Sequence, residues 1–310
     1  MTAPVRIAHV SDLHVLAPGG VELRRLLFNK RLTGYANLLF KRGRAYRRDY
    51  LVAVLAAAAE AADHVVVTGD ITNLSLEGEY NEARRLLDEV ARSAEVTVVP
   101  GNHDIYLPQV HRDRRFPHHF ASYNPGDLPE LELDLLAGRF PFVKLRGPVA
   151  LIGLSSAIPR PPFVSAGYLG RAQLQALARV LAHPEVSSRT PVVLVHHDPF
   201  DSHFRIEQWQ SGLLDARALR DTLRPIARGL LLFGHLHVRR RDRLVTPSGT
   251  LDVVCASGAA LDHPSADVRA GFNRYQIDSD GRIIALDAHV LDAATSTFHV
   301  APLALGRSMP

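Results

Sequence analysis

Short runs of apolar, β-branched residues recur at residues 5–10, 64–68, 96–99, 191–195 and 230–233, and each runs straight into a polar cluster. Their length and composition predict buried strands. Between them, residues 50–62, 79–92, 171–181 and 215–228 place apolar side chains three and four positions apart with charges on the opposite face, which predicts helices. Strand alternating with helix points to an α/β layered fold. After residue 237 the pattern changes to strand-like runs at 243–246, 251–256, 275–277 and 283–290. Short polar turns join them, which predicts antiparallel pairing in a second sheet packed on the first. Periodicity is weak over residues 106–147, where prolines, histidines and acids are scattered. That stretch predicts long loops and short helices, a loop-rich cap at about 105–147 over one rim of the sheet.

Composition changes this picture little. The 310 residues are 46% hydrophobic and 22% charged, with no fixed-period repeat and no Pro/Gly/Ser-rich divider, so one domain over 1–310 is expected. The opening apolar run is broken by Arg6 and His9, unlike the core of a signal peptide, and no stretch approaches a membrane span. The expectation is a cytoplasmic protein, at most peripheral at the inner membrane surface. The lone Cys255 has no partner for an intramolecular disulfide, and its apolar setting predicts a buried, inert thiol.

Charge adds one feature. Within residues 21–48, Arg24, Arg25, Lys30, Arg31, Lys41, Arg42, Arg44, Arg47 and Arg48 face a single acid, Glu22, with leucines and aromatics between them. Two readings stay open: a basic amphipathic insertion that contacts an anionic membrane surface, or helices that pack their leucines on the core and leave the arginines in water. Nucleic acid is disfavoured as a partner, because no recognition motif accompanies the aromatics.

The polar clusters carry the chemistry. They read Asp12-Leu13-His14, Gly69-Asp70, Gly101-Asn102-His103-Asp104, His196-His197-Asp198-Pro199 and Gly234-His235-Leu236-His237. Strand alternation would put Asp12 and His14 on one side, serving a single cation, and His235 and His237 repeat that spacing, which lets one strand end supply two imidazoles. Taken singly, each cluster has a bland reading as a capping aspartate, an asparagine turn or a core histidine. Together they fall at five predicted carboxyl ends of strands, where open α/β sheets bind their ligands.

The order of these clusters resembles the calcineurin-like metallophosphoesterase superfamily, with the motifs covering residues 12–237. The resemblance implies a four-layer α/β/β/α sandwich in which two mixed sheets face each other. It implies that Asp12, His14 and His237 hold one metal, that Asn102, His196 and His235 hold a second, and that Asp70 bridges them. Such an oxygen and nitrogen set suits two divalent ions drawn from Mn, Fe, Zn, Ni and Co. The fourth motif departs from the family's usual His-His-Pro-Pro or His-X-Pro: ungapped alignment favours His196 as the ligand, and the His-X-Pro spacing favours His197.

On this resemblance the expected reaction is attack of a metal-bridging hydroxide on a phosphodiester, pyrophosphate or phosphomonoester. His103 would protonate the leaving oxygen, oriented by Asp104, and Arg239 and Arg240 would clamp substrate phosphate or form a solvated strand end. The basic insertion turns the expected substrate toward a phosphorylated small molecule, a nucleotide or a lipid-linked phosphate. The alternative is a non-catalytic scaffold that keeps the fold to bind protein partners. The complete ligand set and His103 favour the hydrolase.

Overall fold

The computed structural model describes residues 3–16, 46–202 and 204–309. Most of the basic insertion read at 21–48 therefore lies outside the described residues, and only its last three positions fall within them. Along the chain run β1 (Val5–Val10), α1 (Arg48–Ala61), β2 (His64–Val67), α2 (Glu77–Val90) and β3 (Glu95–Val98). A cap follows with α3 (Pro108–Arg112), α4 (Arg115–Phe120) and the hairpin β4 (Leu133–Leu135) to β5 (Gly138–Phe140). Next come β6 (Phe142–Arg146), β7 (Val149–Gly153), α5 (Arg171–Ala182), α6 (Pro184–Ser187) and β8 (Thr190–Leu194). Then α7 (Arg205–Ser211), α8 (Ala216–Leu223) and β9 (Arg228–Phe233) lead into β10 (Arg240–Thr246) and β11 (Gly249–Cys255). The chain closes with β12 (Gly271–Ile277), β13 (Ile283–Asp292), β14 (Thr297–Pro302) and β15 (Leu305–Met309).

These strands form two mixed sheets. One has the order β14-β13-β12-β1-β2-β3, with β1, β2 and β3 parallel and β12 to β14 antiparallel. The other has the order β15-β10-β11-β9-β8-β7-β6, parallel from β11 through β7. Period-two alternation sets the layers. Val192 and Leu194 on β8, and Leu230 and Leu232 on β9, join Ile7, Val66 and Tyr275 in a core between the sheets. Their alternates Val193, Leu231 and Phe233 pack instead with Leu174 and Leu177 of α5 and Leu219 of α8. Helices α1 and α2 cover the outer face of the six-stranded sheet, which completes the α/β/β/α order.

The sheets are also tied at one edge. Lys144 on β6 is buried, and its three ammonium donors meet Glu95 Oε1 (3.0 Å), the Val96 carbonyl (3.1 Å) and the Tyr123 carbonyl (2.7 Å). Arg146 adds a fork onto the same Glu95 carboxylate (2.6 and 2.7 Å).

Three sequence expectations need correction. The strands after residue 237 do not make a sheet of their own: β10 and β11 extend β9, while β12 to β14 extend β1. Local pattern shows that a strand exists, and only tertiary pairing decides which edge it joins. Part of the stretch read as cap loops, residues 142–146, is the edge strand β6. The helix expected over 215–228 stops at Leu223: Arg224 keeps helical backbone, but Pro225 has no N–H with which to continue the ladder.

Candidate metal centre

The five motifs leave parallel strands at the same carboxyl edge: after β1, β2 and β3 in one sheet, and after β8 and β9 in the other. What makes their side chains converge is not strand alternation. Asp12 (φ 52°), His14 (φ 44°), Asp70 (φ 51°), His235 (φ 67°) and His237 (φ 54°) all lie past the strand ends in left-handed backbone. Such backbone costs a non-glycine residue roughly 1–2 kcal/mol, and its accumulation in one place marks a functional site. Hydrogen bonds between the loops hold it: Asp12 N donates to the Gly69 carbonyl (3.0 Å), His14 N to the Asp70 carbonyl (2.9 Å), and His235 N to Asp12 Oδ2 (3.1 Å). The loops approach so closely that a Cβ on Gly101 would fall 2.2 Å from Asp70 Oδ1.

Two groups of donors result. In the first, His14 Nε2 and His237 Nε2 are 3.3 Å apart, and His237 Nε2 is 3.0 Å from Asp12 Oδ1. Asp12 Oδ1 is buried and has no hydrogen-bond partner. In the second, His196 Nε2 lies 3.1 Å from Asn102 Oδ1 and 3.4 Å from Asp70 Oδ1. Asp70 stands between them, since its Oδ2 is 4.0 Å from His14 Nε2. Ligands about 2.0–2.2 Å from one ion sit about 3.0–3.5 Å from each other, so these separations and the oxygen and nitrogen donors fit a cation at each group.

The electrostatics agree. Burial would raise the pKa of Asp12, yet His237 holds it well below the usual carboxylate range, and His196 does the same for Asp70. Burial likewise opposes a charge on His196, but Asp70 and Asp12 lift it to about 9. His235 goes the other way, to about 4, through burial and the neighbouring His196 charge. The buried carboxylates thus demand positive charge at the centre.

His196, His197 and His235 form one group, with a ring nitrogen from each within 4.8 Å of the others, and His196 and His197 differ in what else they touch. Both have His235 within reach, with ring centroids 5.1 and 4.7 Å away. His197 uses its Nδ1 on Ser156 Oγ (2.7 Å) and its Nε2 on the Ser165 carbonyl (2.8 Å), so both nitrogens are engaged away from the centre. His196 donates Nδ1 to the Thr68 carbonyl (2.7 Å) and turns Nε2 inward. The aspartate that departs from the family pattern, Asp198, pairs with Arg240 (3.0 Å).

His103 is only partly buried, its ring edge-on to His14 and stacked on Tyr106, with Nδ1 2.5 Å from the Asn73 carbonyl. Its backbone N–H donates to Asp70 Oδ1 (2.8 Å). Asp104 does not orient it. That carboxylate is buried and accepts from the amides of Ile71 (3.2 Å), Thr72 (2.8 Å) and Gly101 (2.9 Å), clamping the second and third motif loops together. Arg239 also needs correction as a phosphate clamp. Its guanidinium is buried and donates to Asn273 Oδ1 (3.1 Å), the Ala266 carbonyl (2.5 Å) and Ser257 Oγ (2.7 Å), which fixes the β9–β10 connection to β12. Arg240 lies between Asp198 and Asp242.

Sequence reasoning missed the partners that orient the donors. Tyr46 Oη shares a 2.9 Å hydrogen bond with His237 Nδ1, and His235 Nε2 donates to the Ser211 carbonyl (2.9 Å). Backbone carbonyls such as those of Thr68, Asn73 and Ser211 carry no residue signature, although such partners fix ligand tautomers. Tyr46 was visible in the sequence only as one aromatic among basic residues.

The family model described as calcineurin-like phosphoesterase matches residues 5–239. No curated protein matches the chain. Among solved structures, the chain is similar to a purple acid phosphatase from yellow lupin (Lupinus luteus) seeds, with 13% identity, a TM-score of 0.58, and coverage of 99% of this chain and 55% of that one. The chain thus spans about half the length of the lupin enzyme. It is similar to a dimetal phosphatase from Danio rerio, with 17% identity, a TM-score of 0.54, and coverage of 89% and 93%. A sulfate thiohydrolase from Thermus thermophilus shares 18% identity at a TM-score of 0.50, with coverage of 97% and 59%. At these identities the likeness is one of fold.

Proposed function

The chain belongs to the calcineurin-like phosphoesterase family, and from that membership we propose that it hydrolyses a phosphodiester, pyrophosphate or phosphomonoester at a dinuclear centre. Asp12, His14 and His237 would hold one ion, Asn102, His196 and His235 the other, with Asp70 between. The observation that carries this reading is the placement of Asp70, whose two oxygens lie 3.4 Å from His196 Nε2 and 4.0 Å from His14 Nε2, in different donor groups. Divalent ions bound there would supply Lewis-acid polarisation of phosphoryl oxygens and activation of water.

The chain's own residues orient and protonate. The Thr68 and Ser211 carbonyls hold the protonated nitrogens of His196 and His235, which leaves the opposite nitrogen of each ring for the centre. The Asn73 carbonyl fixes the His103 Nδ1 proton, so Nε2 is the nitrogen that delivers a proton outward. As the oxygen of water bonds to phosphorus and the bond to the leaving group breaks, the leaving oxygen takes that proton from His103, while the proton that the water gives up passes to solvent, from which His103 is protonated again.

The test is metal content of the purified chain together with Mn-supported hydrolysis of bis(p-nitrophenyl) phosphate and p-nitrophenyl phosphate. Two bound metals, with diester turnover abolished by Asp70→Ala, support the reading. A metal-free chain inert toward both esters overturns it in favour of a scaffold.

A further inference from the structure

Beside the centre stands a helix that buries nothing. None of the residues of α7 is buried. Polar ties hold it, with Ser202 N donating to Gln208 Oε1 (2.7 Å) and Gln208 Nε2 donating to the Leu213 carbonyl (2.7 Å). Phe204 at its N-cap and Ile206 are both 69% exposed, and Trp209, on the same face as Ile206 at i+3, is 53% exposed. Phe163 is 82% exposed and sits in left-handed backbone. It joins the group because Ser165 N donates to the Gln210 carbonyl (2.7 Å). A cluster of large exposed apolar side chains marks an interaction surface.

Position and charge identify what covers it. The last residue of α7, Ser211, accepts from His235 Nε2, and Ser165 on the adjoining loop accepts from His197 Nε2. A helix of this length spans about 10 Å, so the patch starts within about 10 Å of the donor groups. No aspartate or glutamate occurs over residues 135–184, which include Phe163. Arg160 borders Phe163 and Arg205 opens α7, and among the described residues neither has an acidic partner. Arg160 Nε is buried without a hydrogen-bond partner. The acid on α7, Glu207, accepts from Ser202 Oγ. Aromatic and aliphatic side chains flanked by Arg160 and Arg205 complement a bilayer surface with anionic headgroups. A soluble phosphoester would need no such apolar rim.

We propose that the substrate is a phosphate-bearing amphiphile held in a lipid surface, onto which Phe163, Phe204, Ile206 and Trp209 dock while its phosphate enters the centre. The fate of that phosphate rests on the hydrolase reading above; the docking does not.

The test compares the full chain with a Phe204→Ser/Trp209→Ser variant. Sedimentation is measured with vesicles of phosphatidylcholine and phosphatidylglycerol. Mn-supported hydrolysis is measured on hexadecyl p-nitrophenyl phosphate in those vesicles and on bis(p-nitrophenyl) phosphate in solution. The unmodified chain sediments, and the variant loses about tenfold or more in both vesicle binding and vesicle-ester turnover, the scale of two lost apolar contacts. The soluble ester is cleaved equally by both, which shows the variant folded. A chain that stays in the supernatant, or a variant that sediments like its parent, overturns the proposal. So does a dimer broken by the double substitution without vesicle binding, which would assign the patch to a second copy. Vesicle binding by a chain that cleaves neither ester would support docking and refute the hydrolase reading alone.

Discussion

Replacing His103 by alanine separates proton delivery from metal holding. The ring's Nδ1 goes to the Asn73 carbonyl and its face to Tyr106, and it meets His14 edge-on without supplying an atom to either donor group. The contact His103 makes with the proposed bridging residue is through its backbone N–H to Asp70 Oδ1, which alanine keeps. Metal content and melting temperature should therefore stay close to those of the parent. Turnover should not. A positioned general acid is worth about 10²–10⁴ in rate, or about 2.7–5.5 kcal/mol in the barrier. Only a leaving group that needs a proton reveals it, so the loss should reach this range for an alkyl phosphoester and shrink below about tenfold for a p-nitrophenyl ester, whose leaving anion is stable. Steady-state kinetics on the two esters, with metal analysis on the same samples, makes the comparison. Equal losses on both leaving groups, or loss of a metal ion, would refute the assignment.

Two further outcomes follow from residues near the centre and at the sheet edge. Tyr46→Phe removes the hydroxyl at His237 Nδ1 and should weaken binding of one of the two ions by roughly 10- to 100-fold in a metal titration, and unchanged affinity would mean that the hydroxyl does not orient the ring. Glu95 is raised by burial but held down to about 2 by Arg146, His64 and Lys144, against an ordinary value of 4.5. A carboxyl with a depressed folded pKa contributes stability that is full above its unfolded pKa and is lost as pH falls through its folded pKa. Glu95→Gln should therefore lower the melting temperature at pH 7, and the gap from the parent should close between about pH 4.5 and about pH 2; a gap that persists at the acid end would show that the ion pair is not its source.

The strands that carry the motifs were legible because buried parallel strands are short, continuous and apolar, as in 5–10 and 230–233. The motif residues were legible as a set because each follows such a run. Their convergence was not, because left-handed backbone at Asp12, His14, Asp70, His235 and His237 leaves no trace in residue type. Glycine or asparagine would have announced that backbone, and aspartate and histidine do so only weakly. Polar residues near the motifs misled for a related reason. Asp104 and Arg239 have the chemistry of a site but spend it on backbone amides and carbonyls, and sequence does not distinguish a charge that faces substrate from one that holds a loop. The choice between His196 and His197 likewise turned on which nitrogens Ser156 and Ser165 occupy, a matter of tertiary contact.

The position of β1 bears on how the protein is made. That strand leads into Asp12 and His14, and its partners are β2, close behind it in the chain, and β12, where Val5 meets Ile277. Synthesis proceeds from the N-terminus at about 5–20 residues per second, so β1 waits on the order of ten seconds or more for its second neighbour. Every proposed ligand has been translated before that neighbour is. Until then β1 has one unpaired edge beside Asp12 and His14. A centre that includes Asp12 and His14 is therefore complete only once β12 has paired with β1 and closed that edge.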